Sequence, residues 1–157
     1  MHFDHVGNAN DFAGPSTTWL VQRVEREAMF GASVSPQSIN PDYAALKNAK
    51  TQLLDGDRDV FGDGTVVIKS TPGHTPGHQS LFLKLANTGN VLLTGDLYHY
   101  PEEITYKKIP SFDTNKEQTA KSRAMIEEFV RQNRAQLWIQ HDYTAGIKRK
   151  IAPEFYD

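Results

Sequence analysis

Short apolar runs alternate with segments of helical periodicity along the chain, and this pattern is typical of α/β or α+β proteins. Strands are predicted in succession at roughly 65–70, 79–85 and 91–95, where the turn signals PG and NTGN separate the apolar runs. A further strand is predicted at 136–140, in the run QLWIQ, and an earlier one in TTWLVQ. We expect the four strands from 65 onward to form one sheet.

A long helix is predicted over 114–132, where the periodicity changes to that of an α-helix. Thr114 and Glu117 have the spacing of a capping box at its start. One face of this helix is apolar and contains Met125, Ile126, Phe129 and Val130. We expect it to pack on the sheet with Met125 and Phe129 facing the strands.

The N-terminal third has weaker patterns. RVEREAMF predicts a short helix that Gly31 ends at its C′ position, and 32–49 is predicted to be an exposed loop with one helical turn. The segment RDVF lies between DGD and GDG, which indicates a small hairpin.

Composition excludes several classes of function. A chain of 157 residues is the usual size of one domain. Its 17 Lys and Arg against 19 Asp and Glu give a net charge of −2, which provides no basic field for nucleic acid or an anionic membrane. No apolar run approaches the roughly 18 residues of a membrane span, and no signal-like segment is present, so we expect a cytoplasmic protein. Without cysteine, any metal must be bound by His, Asp or Glu.

Metal-capable side chains follow three separate predicted strands. His74 comes after VVIKSTPG, Asp96 after VLLTG and His141 after LWIQ. In α/β folds, sites are built at such strand ends. The stretch MHFDHVGN adds two more histidines and an aspartate at 2–5, within a few residues of one another. We therefore predict that these residues meet at one metal site.

The combination of these short motifs resembles the metallo-β-lactamase superfamily. That family has H-x-H-x-D-H, then H-T-P-G-H in a turn, then Asp after a strand, then a late His, and this chain has HFDH, HTPGH, GD and QH in the same order. The longer phrases VFGDGTVVIKSTPGHTPGHQSLFL, LLTGDLYHY and AQLWIQHD are most similar to the branch that includes N-acyl homoserine lactonases. The resemblance covers essentially the whole chain.

The resemblance implies an αββα sandwich made of two similar halves, of which the N-terminal half would be missing here. The first His of the family motif would precede Met1. We therefore interpret 1–157 as a partial metallo-β-lactamase domain, a C-terminal fragment that starts inside the motif. We expect this chain alone to hydrolyse lactones poorly or not at all, because one metal lacks a ligand. The alternative, a natural minimal domain, would leave a sheet edge uncovered.

The resemblance also implies two divalent metal ions, with zinc favoured and iron, manganese or cobalt compatible with the same ligands. A bridging carboxylate would relieve the repulsion between the two cations, and Asp96 suits that role. One metal would be bound by the missing His, His2, His74 and Asp96, and the other by Asp4, His5, Asp96 and His141.

The implied reaction is attack of a metal-bridging hydroxide on a lactone or ester carbonyl. In the lactonases a tyrosine three residues after the bridging Asp stabilises the oxyanion, but here that position is His99, and Tyr98 comes two residues after. Both are candidate catalytic residues, and neutral His99 could donate the same hydrogen bond. Asp4 could pass a proton to the leaving alkoxide. His78 is interpreted as a residue that orients the ligands.

Three functions stay open. The first is a dinuclear hydrolase of a small-molecule lactone or ester. The second is a thioester hydrolase resembling glyoxalase II, for which basic residues would recognise an acidic thiol conjugate. The third is an inactive fragment. A nuclease is disfavoured because no basic patch is present, and the sequence makes no prediction of oligomeric state. The basic candidates for the second function are Lys107, Lys108, Lys148, Arg149 and Lys150.

Overall fold

The computed structural model describes residues 2–157, apart from the side chain at position 3. Short 3-10 helices cover Phe3–His5, Ala9–Phe12, Pro36–Ser38, Pro41–Asn48 and Gly95–Leu97. The strands are β1 Trp19–Gln22, β2 Thr51–Leu54, β3 Arg58–Asp59, β4 Val66–Ser70, β5 Gln79–Leu85, β6 Gly89–Leu93 and β7 Gln136–Trp138. The α-helices are α1 Arg23–Phe30, α2 Pro101–Thr105, α3 Lys116–Asn133 and α4 Tyr143–Gly146.

Within the described residues, β3 to β7 form a five-stranded sheet in sequence order. All neighbours are antiparallel except β6 and β7, which are parallel because α3 crosses between them. The predicted mixed α/β fold and its central sheet are confirmed. The strand β2 was not predicted; it pairs in parallel with β1 in a separate two-stranded sheet.

Helix α3 covers one face of the large sheet. Its Ile126 is fully buried in a core with Phe82, Leu92, Leu97, Tyr98 and Ile139. Phe129 packs edge-on against Phe82, with ring centroids 5.0 Å apart, as predicted. The prediction for Met125 is wrong, because Met125 is 41% exposed. The buried face of α3 is rotated toward Thr119, Ser122 and Arg123. Ser122 donates its hydroxyl to the carbonyl oxygen of Pro72 in the turn after β4, and Arg123 donates to the carbonyl oxygen of Leu97 in the loop after β6.

The start of α3 also differs from the prediction. Asn115 is the N-cap, and its side chain accepts a hydrogen bond from the backbone N–H of Gln118 at 3.0 Å. Thr114 instead donates its hydroxyl to the carbonyl oxygen of His74 at 2.9 Å. The residue predicted to cap the helix therefore ties the helix start to the turn after β4.

A second, smaller core lies under the N-terminal segment. It contains Val6, Met29, Phe30, Tyr43 and Leu46. The prediction of an exposed loop over 32–49 is therefore wrong in part, because the 3-10 helix Pro41–Asn48 buries two of its side chains. Gly31 ends α1, but with φ of −64° and without a left-handed conformation. A Cβ there would lie 2.5 Å from the carbonyl oxygen of Glu27, so the residue is small for steric reasons.

The described residues contain no helix that is both long and apolar enough to cross a membrane.

Candidate metal centre

The turn after β4 places His74 at the end of the sheet. Gly73 permits this turn, since its φ is 140° and a Cβ would lie 2.3 Å from the backbone nitrogen of Thr119. The Nδ1 of His74 lies 3.0 Å from Oδ1 of Asp113, whose other oxygen accepts a hydrogen bond from the Thr119 hydroxyl at 2.6 Å. Because Asp113 accepts the Nδ1 proton, Nε2 of His74 faces the opposite direction, toward Asp96.

The loop after β6 places Asp96 beside this turn. The backbone N–H of Asp96 donates to Nε2 of His78 at 2.9 Å, and Nδ1 of His78 lies 3.1 Å from the carbonyl oxygen of Thr71. Burial lowers the pKa of His78 to about 4, and the neutral ring joins the two loops. Both ring nitrogens of His78 are engaged in these contacts. His78 therefore positions the loop of Asp96, as interpreted from the sequence.

The carboxylate of Asp96 lies between two pairs of histidines. Its Oδ2 is 3.1 Å from Nε2 of His74 and 3.7 Å from Nδ1 of His2. Its Oδ1 is 2.8 Å from Nε2 of His5 and 3.0 Å from Nε2 of His141. The nitrogens within each pair are also close, at 3.0 Å for His2 and His74 and 3.2 Å for His5 and His141.

Asp4 completes the second group. Its Oδ2 lies 3.6 Å from Nε2 of His5 and 3.5 Å from Nε2 of His141. The structure thus brings together all six residues that the sequence suggested as ligands: His2, Asp4, His5, His74, Asp96 and His141. They divide into a first group with His2 and His74 and a second group with Asp4, His5 and His141, with Asp96 between them.

The electrostatics favour a cation between these side chains. Burial alone would raise the pKa of Asp96, but hydrogen bonds from His5 and His74 lower it far below its ordinary value. The hydrogen bond to Asp96 raises the pKa of His5. For His74, burial opposes protonation, but hydrogen bonds to Asp96 and Asp113 raise its pKa overall. His5 and His74 therefore bind a proton more readily than a free histidine, and a metal competes with that proton for the same lone pairs. For His2, burial lowers the pKa instead.

These donors fit divalent metals. Each group offers imidazole nitrogens and carboxylate oxygens whose ligand atoms lie within 4.8 Å of one another. Nitrogen and oxygen donors without thiolates suit zinc and also iron, manganese or cobalt. The Asp113 contact to His74 is the type of outer hydrogen bond that fixes the tautomer of a ligating imidazole.

Residues 1–131 match the family model described as the metallo-β-lactamase superfamily. The chain belongs to this superfamily. It is 35% identical over 162 residues to the N-acyl homoserine lactonase AttM of Rhizobium radiobacter, covering 99% of this chain and 60% of that protein. It is 30% identical over 155 residues to the lactonase AiiA of Bacillus thuringiensis subsp. kurstaki, covering 99% of this chain and 58% of that protein.

A solved structure confirms the superfamily fold. An N-acyl homoserine lactone hydrolase with the product N-hexanoyl-L-homoserine at its catalytic metal center matches with a TM-score of 0.82 and 29% identity. The match covers 99% of this chain and 58% of that one. The chain thus spans about 60% of the length of the relatives it matches.

Tyr98 is not part of this metallo-β-lactamase centre, so its assignment as a catalytic residue is wrong. It is fully buried in the core under α3, and its hydroxyl donates to Glu127 at 2.9 Å. Burial, and then this hydrogen bond, raise the pKa of Tyr98. The backbone at Tyr98 is extended, with φ of −137° and ψ of 136°. Because successive side chains of an extended segment point to opposite sides, Tyr98 enters the core and His99 faces the centre.

His99 lies over the second group of candidate ligands. Its ring stacks on that of His141, with centroids 5.3 Å apart and planes 20° apart. Its Nε2 is 4.0 Å from Oδ1 of Asp96. Burial lowers the pKa of His99. His99, three residues after Asp96, therefore faces the centre.

A cavity of about 480 Å³ opens above the centre. Two aromatic side chains form part of its wall, and one of them, Phe112, is 65% exposed and contacts the rings of His74 and His99 edge-on. Among the described residues, no Lys or Arg lines this cavity. Of the predicted basic candidates, Lys107 lines a different cavity and Arg149 lies over Trp138. The lining residues are His2, Asp4, Asn40, His74, Asp96, His99, Tyr100, Phe112 and His141.

Two residues that contact the histidines of the centre, Asp113 and Glu103, were not predicted from the sequence. Asp113 stands in a polar stretch before a helix, where an aspartate is usually read as a capping residue. Glu103 lies in α2 and is buried, although its sequence neighbours Glu102 and Ile104 are exposed. No spacing signal distinguishes either from an ordinary surface carboxylate.

Proposed function

We propose that this chain contains the dinuclear metal centre of a hydrolase that opens a lactone or cleaves a small ester. The proposal rests on one observation, the position of Asp96 with a pair of imidazoles facing each of its oxygens. A carboxylate in that position suits two neighbouring cations, because it provides one oxygen to each. The relatives named N-acyl homoserine lactonases support a lactone as the substrate class.

In this proposal one divalent cation is bound by His2, His74 and Asp96, and the other by Asp4, His5, His141 and Asp96. Zinc is the favoured metal, and iron, manganese or cobalt fit the same donors. When bound, the two cations would supply Lewis acidity and a nucleophile at neutral pH by lowering the pKa of water. Residues 1–157 would then form part of a metallo-β-lactamase domain.

The protein's own groups have separate tasks in this proposal. Asp113 fixes the ring of His74, and His78 fixes the loop of Asp96, so both ligands are oriented before any metal arrives. Asp4 lies at the edge of the cavity with 37% of its side chain exposed. From there its carboxylate can accept a proton and return it to the leaving alkoxide.

The cavity favours an uncharged acyl substrate over an acidic thiol conjugate. Tyr100 and Phe112 offer apolar surface next to the centre. The basic side chains that the glyoxalase-like alternative requires do not line the cavity, as far as residues 2–157 show. A lactone with an apolar acyl chain therefore suits the apolar surface of Tyr100 and Phe112 better than an anionic thioester does.

The proposal is tested by measuring metal content and hydrolysis in parallel. The chain is purified with zinc, and its turnover of an acyl homoserine lactone and of a simple aryl ester is compared with that of Asp96→Asn and of Asp11→Asn. Asp11 is an exposed carboxylate outside the centre and serves as the matched control. Because the six candidate ligands already lie together, we expect turnover here, in contrast to the expectation from the sequence that this chain alone hydrolyses lactones poorly or not at all. The control should bind two metals per chain and hydrolyse substrate, and Asp96→Asn should lose both. Full metal loading without turnover of either substrate would contradict the proposed hydrolase.

A further inference from the structure

A buried pair of charged residues, Glu103 and Arg123, lies next to the Nδ1 atom of His99. Its Nδ1 is shielded from solvent and has no hydrogen-bond partner of good geometry among the described residues, but it lies 3.5 Å from Oε1 of Glu103. The other oxygen of Glu103 accepts a hydrogen bond from Nη2 of Arg123. Glu103 and Arg123 are both buried, at 8% and 6% exposure. The ring of His99 therefore has a fixed negative group on one side.

Arg123 keeps that negative group in place. Its Nε donates to the carbonyl oxygen of Leu97 at 2.8 Å, and its Nη1 donates to the carbonyl oxygen of Lys108. The guanidinium thus joins α3, the loop after β6 and the end of α2 in one network. A buried carboxylate with such a partner has little freedom to turn away.

Two carboxylates compete for the single proton of the neutral His99 ring. On one side, Oε1 of Glu103 is 3.5 Å from Nδ1; on the other, Oδ1 of Asp96 is 4.0 Å from Nε2. Asp96 Oδ1 already has His5 and His141 nitrogens at 2.8 and 3.0 Å. A lone pair on Nδ1 facing Glu103 would be repelled, whereas an N–H there is attracted. The nearer, less occupied carboxylate therefore favours the proton on Nδ1.

We propose that Glu103, held by Arg123, is a positioning residue that keeps the proton of neutral His99 on Nδ1, so that Nε2 presents a lone pair to the space between Asp96 and His141. The ligand atoms of Asp96, His99 and His141 lie within 4.8 Å of one another, a spacing that suits a shared cation. His99 then serves the centre as an acceptor. This differs from the expectation from the sequence, in which neutral His99 donates a hydrogen bond to the substrate. The proposal concerns the same site as the proposed function and rests on it for its catalytic meaning.

The tautomer is measured directly by long-range proton–nitrogen NMR of the full chain labelled with ¹⁵N-histidine. The protein is freed of metal and held near pH 8, about 1.5 units above the ordinary pKa of histidine. The His99 signals are those that disappear in His99→Gln. We expect the wild-type ring to be protonated on Nδ1. A ring protonated mainly on Nε2 would overturn the proposal. This measurement is made on the wild-type protein, so it does not depend on whether a Glu103 variant folds.

Glu103→Gln tests the cause, with Glu102→Gln as the matched control. Glu102 precedes it on the same helix and is exposed. Removing the charge should change the tautomer ratio of His99 by about tenfold, the difference between a charged and a neutral acceptor. The control should leave the ratio unchanged. If Glu103→Gln keeps a native amide spectrum and the same ratio, Glu103 does not position His99. Because no hydrolysis is measured, failure here is distinct from failure of the proposed hydrolase.

Discussion

The two sides of Asp96 are built differently. On the first side, the side chain of His74 is 2% exposed and Asp113 behind it is fully buried. On the second side, the side chains of His5 and His141 are 31% and 33% exposed, and their closest polar neighbours are the other members of the centre. His74 is therefore held rigidly, although His2 beside it is 48% exposed, whereas the second side has more donors and none of its histidines is buried in this way. From this difference we expect preorganisation, rather than donor number, to determine how much each residue contributes to metal binding.

The largest effect is expected at His74. We expect His74→Gln to weaken zinc binding by more than about 100-fold, because it removes a ligand that is already oriented, and outer hydrogen bonds alone account for 10 to 100-fold. His141→Gln should weaken binding less, because its exposed ring must be ordered by the metal itself. Competition with a coloured chelator measures both affinities. Equal losses in the two variants would mean that the two sides do not differ in preorganisation.

Asp113 provides the second test. Asp113→Asn keeps the size of the side chain but removes the charge that holds the proton on Nδ1 of His74. We expect a 10 to 100-fold loss of zinc affinity with little change in the number of metals at saturation. Asp142→Asn is the matched control, since Asp142 only caps the short helix α4. If Asp113→Asn binds zinc as tightly as the control, the support behind His74 is not important for affinity.

The sequence predicted which six side chains lie together, because each of them follows a strand or lies in one short segment. Strand ends can be read from apolar runs, so His74, Asp96 and His141 were found without structural information. The support behind them was not predicted, because burial of Asp113 and Glu103 depends on which elements pack together. The prediction of which face of α3 packs on the sheet was wrong at Met125 for the same reason. Met125 and Ile126 are both apolar in sequence, but Ile126 is buried on the same face as Arg123, whereas Met125 is 41% exposed.

Tyr98 and His99 show a further limit of the sequence. Both were plausible catalytic residues, because either one could have faced the centre. The decision depends on whether the chain after Asp96 is helical or extended, and the 3-10 helix ends at Leu97. A single extra helical residue would rotate the next side chains by roughly 100 to 120°. The apolar pattern of LLTGDLYHY does not determine that position.

A moderate effect is expected on thermal stability. Zinc at 100 times its dissociation constant for the site that contains His74 should by itself stabilise the fold by about 2.7 kcal/mol, and a domain of this size gains roughly 2 to 4 °C per kcal/mol. We therefore expect the melting temperature to rise by about 5 to 10 °C, and to fall again when EDTA is added. His74→Gln should show less than half of this rise at the same zinc concentration. A full rise in that variant would place the stabilising metal away from His74.

The smallest effect is expected at Asp4, on the second side of Asp96. Its carboxylate is 37% exposed, and its nearest ring nitrogens are 3.5 and 3.6 Å away. Because water can replace an exposed carboxylate and because ordering this side chain offsets part of its attraction, we expect Asp4→Asn to weaken zinc binding by about tenfold, or 1.4 kcal/mol. Its effect on turnover should be larger than its effect on affinity if Asp4 also returns the proton to the leaving alkoxide. Zinc affinity is measured by chelator competition and turnover of an acyl homoserine lactone on the zinc-saturated protein, with Asp11→Asn as control. A loss of affinity as large as that of His74→Gln would show that exposure does not decide the contribution of a ligand in this centre, and an unchanged turnover at full loading would exclude Asp4 as the proton carrier.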